Sequence, residues 1–284
     1  MGSTFSIRVA DALDIPAINR FLSRKAIIHR HLDWRQPIDW VSSGRFLLLQ
    51  NEKCEIEALL CCVPEVDNYA WLRVFAYCNK GTMFFAWNQL LQTTIQTLHT
   101  QHTPQKFLSL AYYGWMIELL ELEGWREVDR LVQLEWDKSI VADQPQTYAS
   151  FAIRNMTEPD LARVHDIDCL SFDLIWQQSF ETMSASLRQS GYATVLEENS
   201  QILGFQISTT NKEIAHLARI AVHPDHRKKH IGNLLLQDLL NYSQRYNIRN
   251  VSVNTQQSNT RSISLYKKLG FHEKGASYPV FMLD

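Results

Sequence analysis

The sequence predicts an α/β fold (α+β layered) built from two copies of one domain. Three observations predict it. Matching segments recur at a nearly constant spacing through the 284 residues, which suits two domains of ~100–200 residues each. Strand-like and helix-like hydrophobic periods follow one another along the chain. Hydrophobic residues make up 45% and charged residues 20%, the balance of a globular chain rather than a disordered one.

The repeat sets the domain organisation. Phe5-Ser6-Ile7-Arg8 matches Phe151-Ala152-Ile153-Arg154, an offset of 146 residues. The same offset pairs Asp14-Ile15 with Asp160-Leu161, Arg73-Val74 with Arg219-Ile220, and Gly124-Trp125 with Gly270-Phe271. One residue less pairs Asn88–Gln92 with Asn233–Gln237. Single short matches arise by chance, whereas a constant offset across the whole length marks a duplication. We therefore expect domains at 5–137 and 150–284, joined by a linker at 138–149 whose Pro145 and polar neighbours break regular structure.

In the second copy, Phe151–Arg154 alternates like a strand, and Glu158–Ser171 has helical spacing at Leu161, Val164 and Ile167. Tyr192–Glu197 and Ile202–Ser208 read as strands joined by a polar turn. A strand at Ile214–Val222, a helix at Ile231–Tyr246, a strand at Asn250–Asn254 and a helix at Asn259–Leu269 follow. Two closing strands are expected near Phe271–Lys274 and Pro279–Leu283. Strands mixed with helices point to layers around one sheet.

Composition excludes several function classes. The 28 basic and 30 acidic residues leave a formal charge of −2, so no bulk attraction draws the chain to nucleic acid or an acidic membrane, and any anion site is local. No run approaches the ~20 apolar residues of a membrane helix, and the first residues lack the apolar core of a signal peptide. The five cysteines are odd in number and form no CxxC pair, which argues against a disulfide framework or metal site and for a reducing, cytoplasmic setting.

The most informative stretch is 217–232. An apolar strand ends at Pro224, the loop Arg227-Lys228-Lys229-His230 follows, and an amphipathic helix begins near Ile231. The unpaired N–H groups and positive dipole end of a helix start favour a phosphate, and three cationic side chains strengthen the same field. A solvated basic loop is the plain alternative. The second stretch is Asn259–Phe271, in which Gly270 suits a helix C-terminus. Ile263, Tyr266 and Leu269 share one face, so a packed role for the tyrosine competes with a chemical one.

Together, in this order and spacing, the two stretches resemble the GNAT N-acetyltransferase superfamily. Arg227-Lys228-Lys229-His230-Ile231-Gly232 fits that family's diphosphate loop, Arg/Gln-x-x-Gly-x-Gly/Ala, except at His230. The resemblance covers essentially all of 150–284. It implies a mixed, mostly antiparallel sheet flanked by helices, acetyl-CoA as co-substrate, no metal, and a primary amine on a small molecule or peptide as acceptor. It further implies that backbone at Ile220, Ala221 and Val222 pairs with the pantetheine arm. Arg227, Lys228, Lys229, His230, Ile231, Gly232 and Asn233 would hold the diphosphate. Asn259 and Ser262 would lie near pantetheine or adenosine, and Tyr266 would protonate the leaving thiolate.

His230 is the departure. Glycine permits positive φ and close approach to a phosphate, and histidine tolerates that geometry less well. Either the loop still forms, with the imidazole turned outward or onto the ligand, or the diphosphate pocket is crowded. The second outcome motivates a rival, a non-catalytic module that binds CoA or a partner on the same fold. Asp168, Asp173, Glu213 and His216 are candidate bases with no motif to choose among them. Phe172 and Trp176 could wall an acceptor pocket or face a core. Oligomeric state, a homodimer included, is left open.

The first copy lacks these features. Its equivalent loop, Cys78–Ala86, carries one cation, Lys80, and Leu120 falls opposite Tyr266. Seven of the eight tryptophans lie in this half. We expect residues 5–137 to retain the fold without catalysis.

Overall fold

The computed structural model describes residues 5–24, 26–66, 68–99, 106–137 and 150–284; the expected linker at 138–149 lies outside them. The chain forms two compact units. One comprises Met1–Val128 with Tyr278–Asp284, the other Asp129–Ser277. These bounds differ from those of the sequence repeat, because the last strand of each repeat completes the sheet of the other unit.

In chain order the elements are β1 (Ser6–Val9), α1 (Ile15–Arg24), β2 (Ile27–Arg30), β3 (Phe46–Gln50), β4 (Ile56–Val66), β5 (Tyr69–Tyr77), α2 (Met83–His99), β6 (Lys106–Leu110), α3 (Gly114–Leu122) and β7 (Arg126–Asp137). The second repeat supplies β8 (Ala152–Asn155), α4 (Leu161–Ser171), α5 (Phe180–Gln189), β9 (Tyr192–Glu198), β10 (Gln201–Thr210), β11 (Ile214–Val222), α6 (Ile231–Arg245), β12 (Asn250–Gln256), α7 (Thr260–Lys268) and β13 (His272–Leu283).

In the first unit β1, β3, β4 and β5 pair antiparallel in that order. β5 then runs parallel to β6 over Tyr69–Trp71, and β6 pairs with Val280–Leu283 of β13. The second unit repeats the plan. β8, β9, β10 and β11 pair antiparallel, β11 runs parallel to β12, and β12 pairs with Leu131–Asp137 of β7. The two closing strands expected from the sequence are one long strand, β13, which passes through Gly275 at φ 78°. Glycine adopts that left-handed value without a Cβ clash, so one strand runs through where two were expected. Helix α5 has no counterpart in the sequence expectation; its cap is Ser179, whose hydroxyl accepts from the Thr182 N–H.

The duplication extends to side-chain detail. Arg8 grips Asp14 with two bonds of 2.7 and 2.6 Å, and Arg154 grips Asp160 with two of 2.8 and 2.9 Å. Each pair ties the first strand of its repeat to the start of the following helix. Arg73 and Arg219, also equivalent, both form ion pairs with buried carboxylates, Arg73 with Asp33 and Glu65 and Arg219 with Asp168.

Each unit has its own core. In the first, Leu60, Phe75, Trp87, Leu90, Phe107 and Leu120 pack with Phe281 of β13. In the second, Leu217, Leu239, Val251, Val253, Tyr266 and Phe271 pack with Leu134 and Trp136 of β7. Among the described residues no helix is long and apolar enough to cross a membrane.

Candidate active site

The second unit contains a cavity of about 910 Å³, and the strand pattern explains it. β11 and β12 are paired only from Ile214↔Asn250 to Leu217↔Val253. Beyond that point they fork. On β11 the register against β10 skips Ala218, passing from Ile207↔Arg219 to Ser208↔Leu217. Such a bulge bends a strand and increases its twist. β12 instead stays with β7 to Gln256↔Leu131. Among the described residues no strand pairs with 219–222 on the open side, and Ile220, Ala221 and Val222 line the cavity there.

At the end of β11 a one-turn helix, Pro224–His226, leads into the basic loop. Lys228 (φ 65°) and His230 (φ 61°) are both left-handed. Histidine is among the side chains enriched in that region, so the glycine-like turn forms despite the Cβ. His230 ends the turn as the N-cap of α6 without a side-chain cap bond, which leaves the first-turn N–H groups without intrahelical partners.

Arg227, Lys228, His230, Ile231, Gly232 and Asn233 line the cavity on this side. Lys229 does not line it, and its ammonium lies 3.4 Å from Nδ1 of His226. With Lys228 and His230 both reversed, the loop turns its middle lysine away. A Cβ at Gly232 would lie 3.3 Å from Leu265 Cδ2, so glycine lets α6 and α7 approach across the cavity floor. The buried Asn233 Oδ1 has no partner among the described residues.

The opposite wall is α7. Asn259 caps it, accepting from the Ser262 N–H at 3.1 Å, and both residues line the cavity with Arg261, Leu265, Tyr266 and Lys268. Tyr266 is 3% exposed, and burial pushes its phenol above the ordinary value, so it stays protonated at neutral pH. It both packs, with its ring 5.6 Å from Phe271, and faces the cavity. The packed and chemical alternatives for this residue are thus compatible.

The third wall is the segment after α4, including Ser171, Phe172, Asp173 and Trp176. Arg219 holds it in place. Its guanidinium makes bonds of 2.7 and 2.8 Å to Asp168, donates to the Trp176 carbonyl at 2.6 Å, and stacks 3.5 Å from the Phe172 ring centroid. Ser171 Oγ donates to the Val222 carbonyl at 3.1 Å.

The base candidates separate accordingly. Asp168 is fully buried in its ion pair, while His216, bonded to Ser252 at 2.9 Å, and Glu213 do not line the cavity; Asp173 does. Asp129, at the start of the β7 segment in this unit, also lines it, as do Gln256, Ser258 and Thr260. Sequence reasoning missed Asp129 because it belongs to the other repeat.

Four lining cations, Arg227, Lys228, Arg261 and Lys268, have no carboxylate partner among the described residues. Lys267 and Lys274, outside the cavity, are paired with Glu273 and Glu135 at 2.7 and 2.9 Å. The cavity therefore offers an unpaired strand edge, an open helix start and unspent positive charge, which suit an elongated ligand with an anionic end.

Comparison with known proteins places the chain in a family. The model of the acetyltransferase (GNAT) family matches residues 161–271. The ribosomal protein bS18-alanine N-acetyltransferase of Haemophilus influenzae is 30% identical over 114 residues, which is 40% of this chain and 76% of that protein. The chain belongs to the GNAT family. The Escherichia coli K12 protein of the same name is 25% identical over 121 residues, 43% of this chain and 80% of its own length. These sequence relatives are N-acetyltransferases, and this GNAT chain is one too. Among solved structures, a tandem GNAT protein from the clavulanic acid biosynthesis pathway superposes with a TM-score of 0.65 at 14% identity, covering 99% of this chain and 98% of that one. A GCN5-related N-acetyltransferase from Sphaerobacter thermophilus gives 0.63 at 16% identity, with 98% and 95% covered. Both likenesses extend over the whole chain and carry the tandem GNAT fold.

The first unit departs at the corresponding place. β5 continues past its parallel pairing with β6, but there β2 fills the open side, with Ile27↔Tyr77 to Arg30↔Val74. At the repeat offset, Val74–Tyr77 correspond to Ile220–His223. Leu120, opposite Tyr266, is fully buried.

Proposed function

We propose that the second unit transfers the acetyl group of acetyl-CoA to a primary amine by direct attack. The observation that carries this reading is the convergence of the β11 edge, the uncapped start of α6 and Tyr266 on one cavity. Acetyl-CoA would supply the activated acyl thioester and a diphosphate anchor. The backbone of Ile220–Val222 would bond the pantetheine amides, the loop from Arg227 to Asn233 would hold the diphosphate, and Asn259 and Ser262 would position the nucleotide side. Tyr266 would give its proton to the departing thiolate sulfur as the C–S bond breaks and the N–C bond forms, and would regain one released by the acylated nitrogen. The incoming ammonium must first lose a proton, to water or a lining carboxylate. Among the described residues the serines bonded to a histidine, Ser252 with His216 and Ser109 with His29, do not line the cavity, so they favour no covalent intermediate there. The Cys169 thiol, 3.7 Å from His165, is raised by burial and by nearby Asp168 and Asp166, the reverse of activation.

The first unit would be non-catalytic, because β2 takes the strand position that a pantetheine arm would need. Five free cysteines fit a cytoplasmic setting. The relatives' names make a peptide N-terminus the first acceptor to assay.

Isothermal titration of acetyl-CoA tests the placement. Binding should weaken at least tenfold in Arg227→Ala and vanish in Gly232→Trp. Equal heats from the wild type and both variants would refute the cradle. Tyr266→Phe should lower kcat about 10²-fold, the lower range for a positioned acid, with acetyl-CoA affinity unchanged.

A further inference from the structure

The charges and rings of the cavity describe the acceptor as well as the donor. Phe172 and Trp176 are held by Arg219, which sits immediately after the bulge at Ala218, where β11 leaves β12. Arg219 thus fixes the Phe172 ring and the Trp176 backbone next to the fork, and both residues line the cavity. Near them Leu170 is 56% and Leu174 44% accessible, so this wall also presents exposed apolar side chains.

Two carboxylates line the cavity, Asp129 and Asp173. Asp129 Oδ1 already accepts from the Arg130 N–H at 2.7 Å. Asp173 is the N-cap residue of the turn Leu174–Trp176 but makes no side-chain cap bond, and its carboxylate has no hydrogen bond among the described residues. The other lining charges, Arg227, Lys228, Arg261 and Lys268, are positive.

Building on the acetyl-transfer reading above, we propose that the acceptor is an amine with one positive charge and an apolar substituent. Its ammonium sits against Asp173, and its substituent lies on Phe172 and Trp176. A single uncommitted carboxylate matches one ammonium. A polyamine would bring further ammonium groups for which this wall holds no second carboxylate without a bond of its own. An amino sugar would press hydroxyls against aromatic faces that offer no hydrogen-bond partner. An ammonium beside aromatic rings also gains cation–π attraction. Two sources carry this chemistry, a peptide α-amine with an apolar first residue and a small arylalkylamine.

Thiol release with acetyl-CoA tests the proposal on four acceptors: a peptide beginning with leucine, phenethylamine, spermidine and glucosamine. One of the first two should exceed both of the others by at least tenfold in kcat/KM, and the better of the two identifies the source. Asp173→Asn should raise KM for that acceptor about fivefold, as loss of one partly exposed charge pair does, with acetyl-CoA affinity unchanged. Spermidine or glucosamine as the best acceptor, an unchanged KM in Asp173→Asn, or no release from any amine would overturn the assignment. Acetyl-CoA titration of the same samples separates the readings: heat without the expected acceptor preference refutes this inference alone, whereas no heat refutes the donor site as well.

Discussion

Asp168 has no exposure to solvent and holds an arginine that in turn holds the wall of the site. An exchange that removes its carboxylate leaves the Arg219 guanidinium buried and unpaired, at a cost of about 3–5 kcal/mol. Asp168→Ala should therefore unfold at markedly lower urea, and at permissive urea its KM for the amine should rise because Phe172 and Trp176 lose their anchor. Unchanged urea midpoints would show that the pair contributes nothing net. At His230 the left-handed backbone is formed by a residue with a Cβ, and His230→Gly should leave acetyl-CoA affinity within about twofold, since the turn already has its glycine-like shape. Titration decides this, and a tenfold gain would show that the imidazole crowds the ligand.

At the scale of elements, α6 must lie close to the sheet for its N-terminus to point along β11. Gly204 on β10 makes that possible. A Cβ there would lie 2.9 Å from the Ala221 carbonyl oxygen and 3.0 Å from Ile231 Cγ2. Gly204→Ala should lift the helix start from the strand, weaken acetyl-CoA binding by an order of magnitude, and cost about 1–3 kcal/mol from overpacking. Thermal melts beside titration measure both.

In the first unit, β2 carries His29, fully buried, with its pKa pushed down to about 4 by burial. The unfolded chain, with an ordinary value of 6.5, takes up the proton first. Stability is thus complete above pH 6.5 and falls by about 3 kcal/mol as pH drops toward 4. Urea midpoints followed by the fluorescence of tryptophans such as Trp71 and Trp87 should show this decline. His29→Leu should flatten it in part, since His31 is lowered by burial as well.

At the scale of the molecule, much of the chemistry was legible and much of the pairing was not. Strand Ile214–Val222 and the start of α6 follow from apolar period and a basic loop, and those signals are local. Lys229 shares the loop's charge, yet its direction depends on two left-handed neighbours that a pattern of residue types does not encode. Asp129 reaches the cavity because Leu131–Asp137 pairs with β12, a contact between repeats with no trace in either one alone. The same exchange predicts that a fragment of residues 150–284 lacks the partner of β12 and exposes its edge to self-association. Light scattering should find it aggregated where the whole chain is not, and a monomeric, acetyl-CoA-binding fragment would contradict this.

Four residues, Ile27–Arg30, also set what the front half can become. Restoring arginines to its loop and a phenol at Leu120 would not by themselves revive a second catalytic centre, because the berth a thioester arm would need is already taken by the chain itself. Any such resurrection has to begin by evicting that short segment, and the buried imidazole it carries makes mild acid the natural way to try.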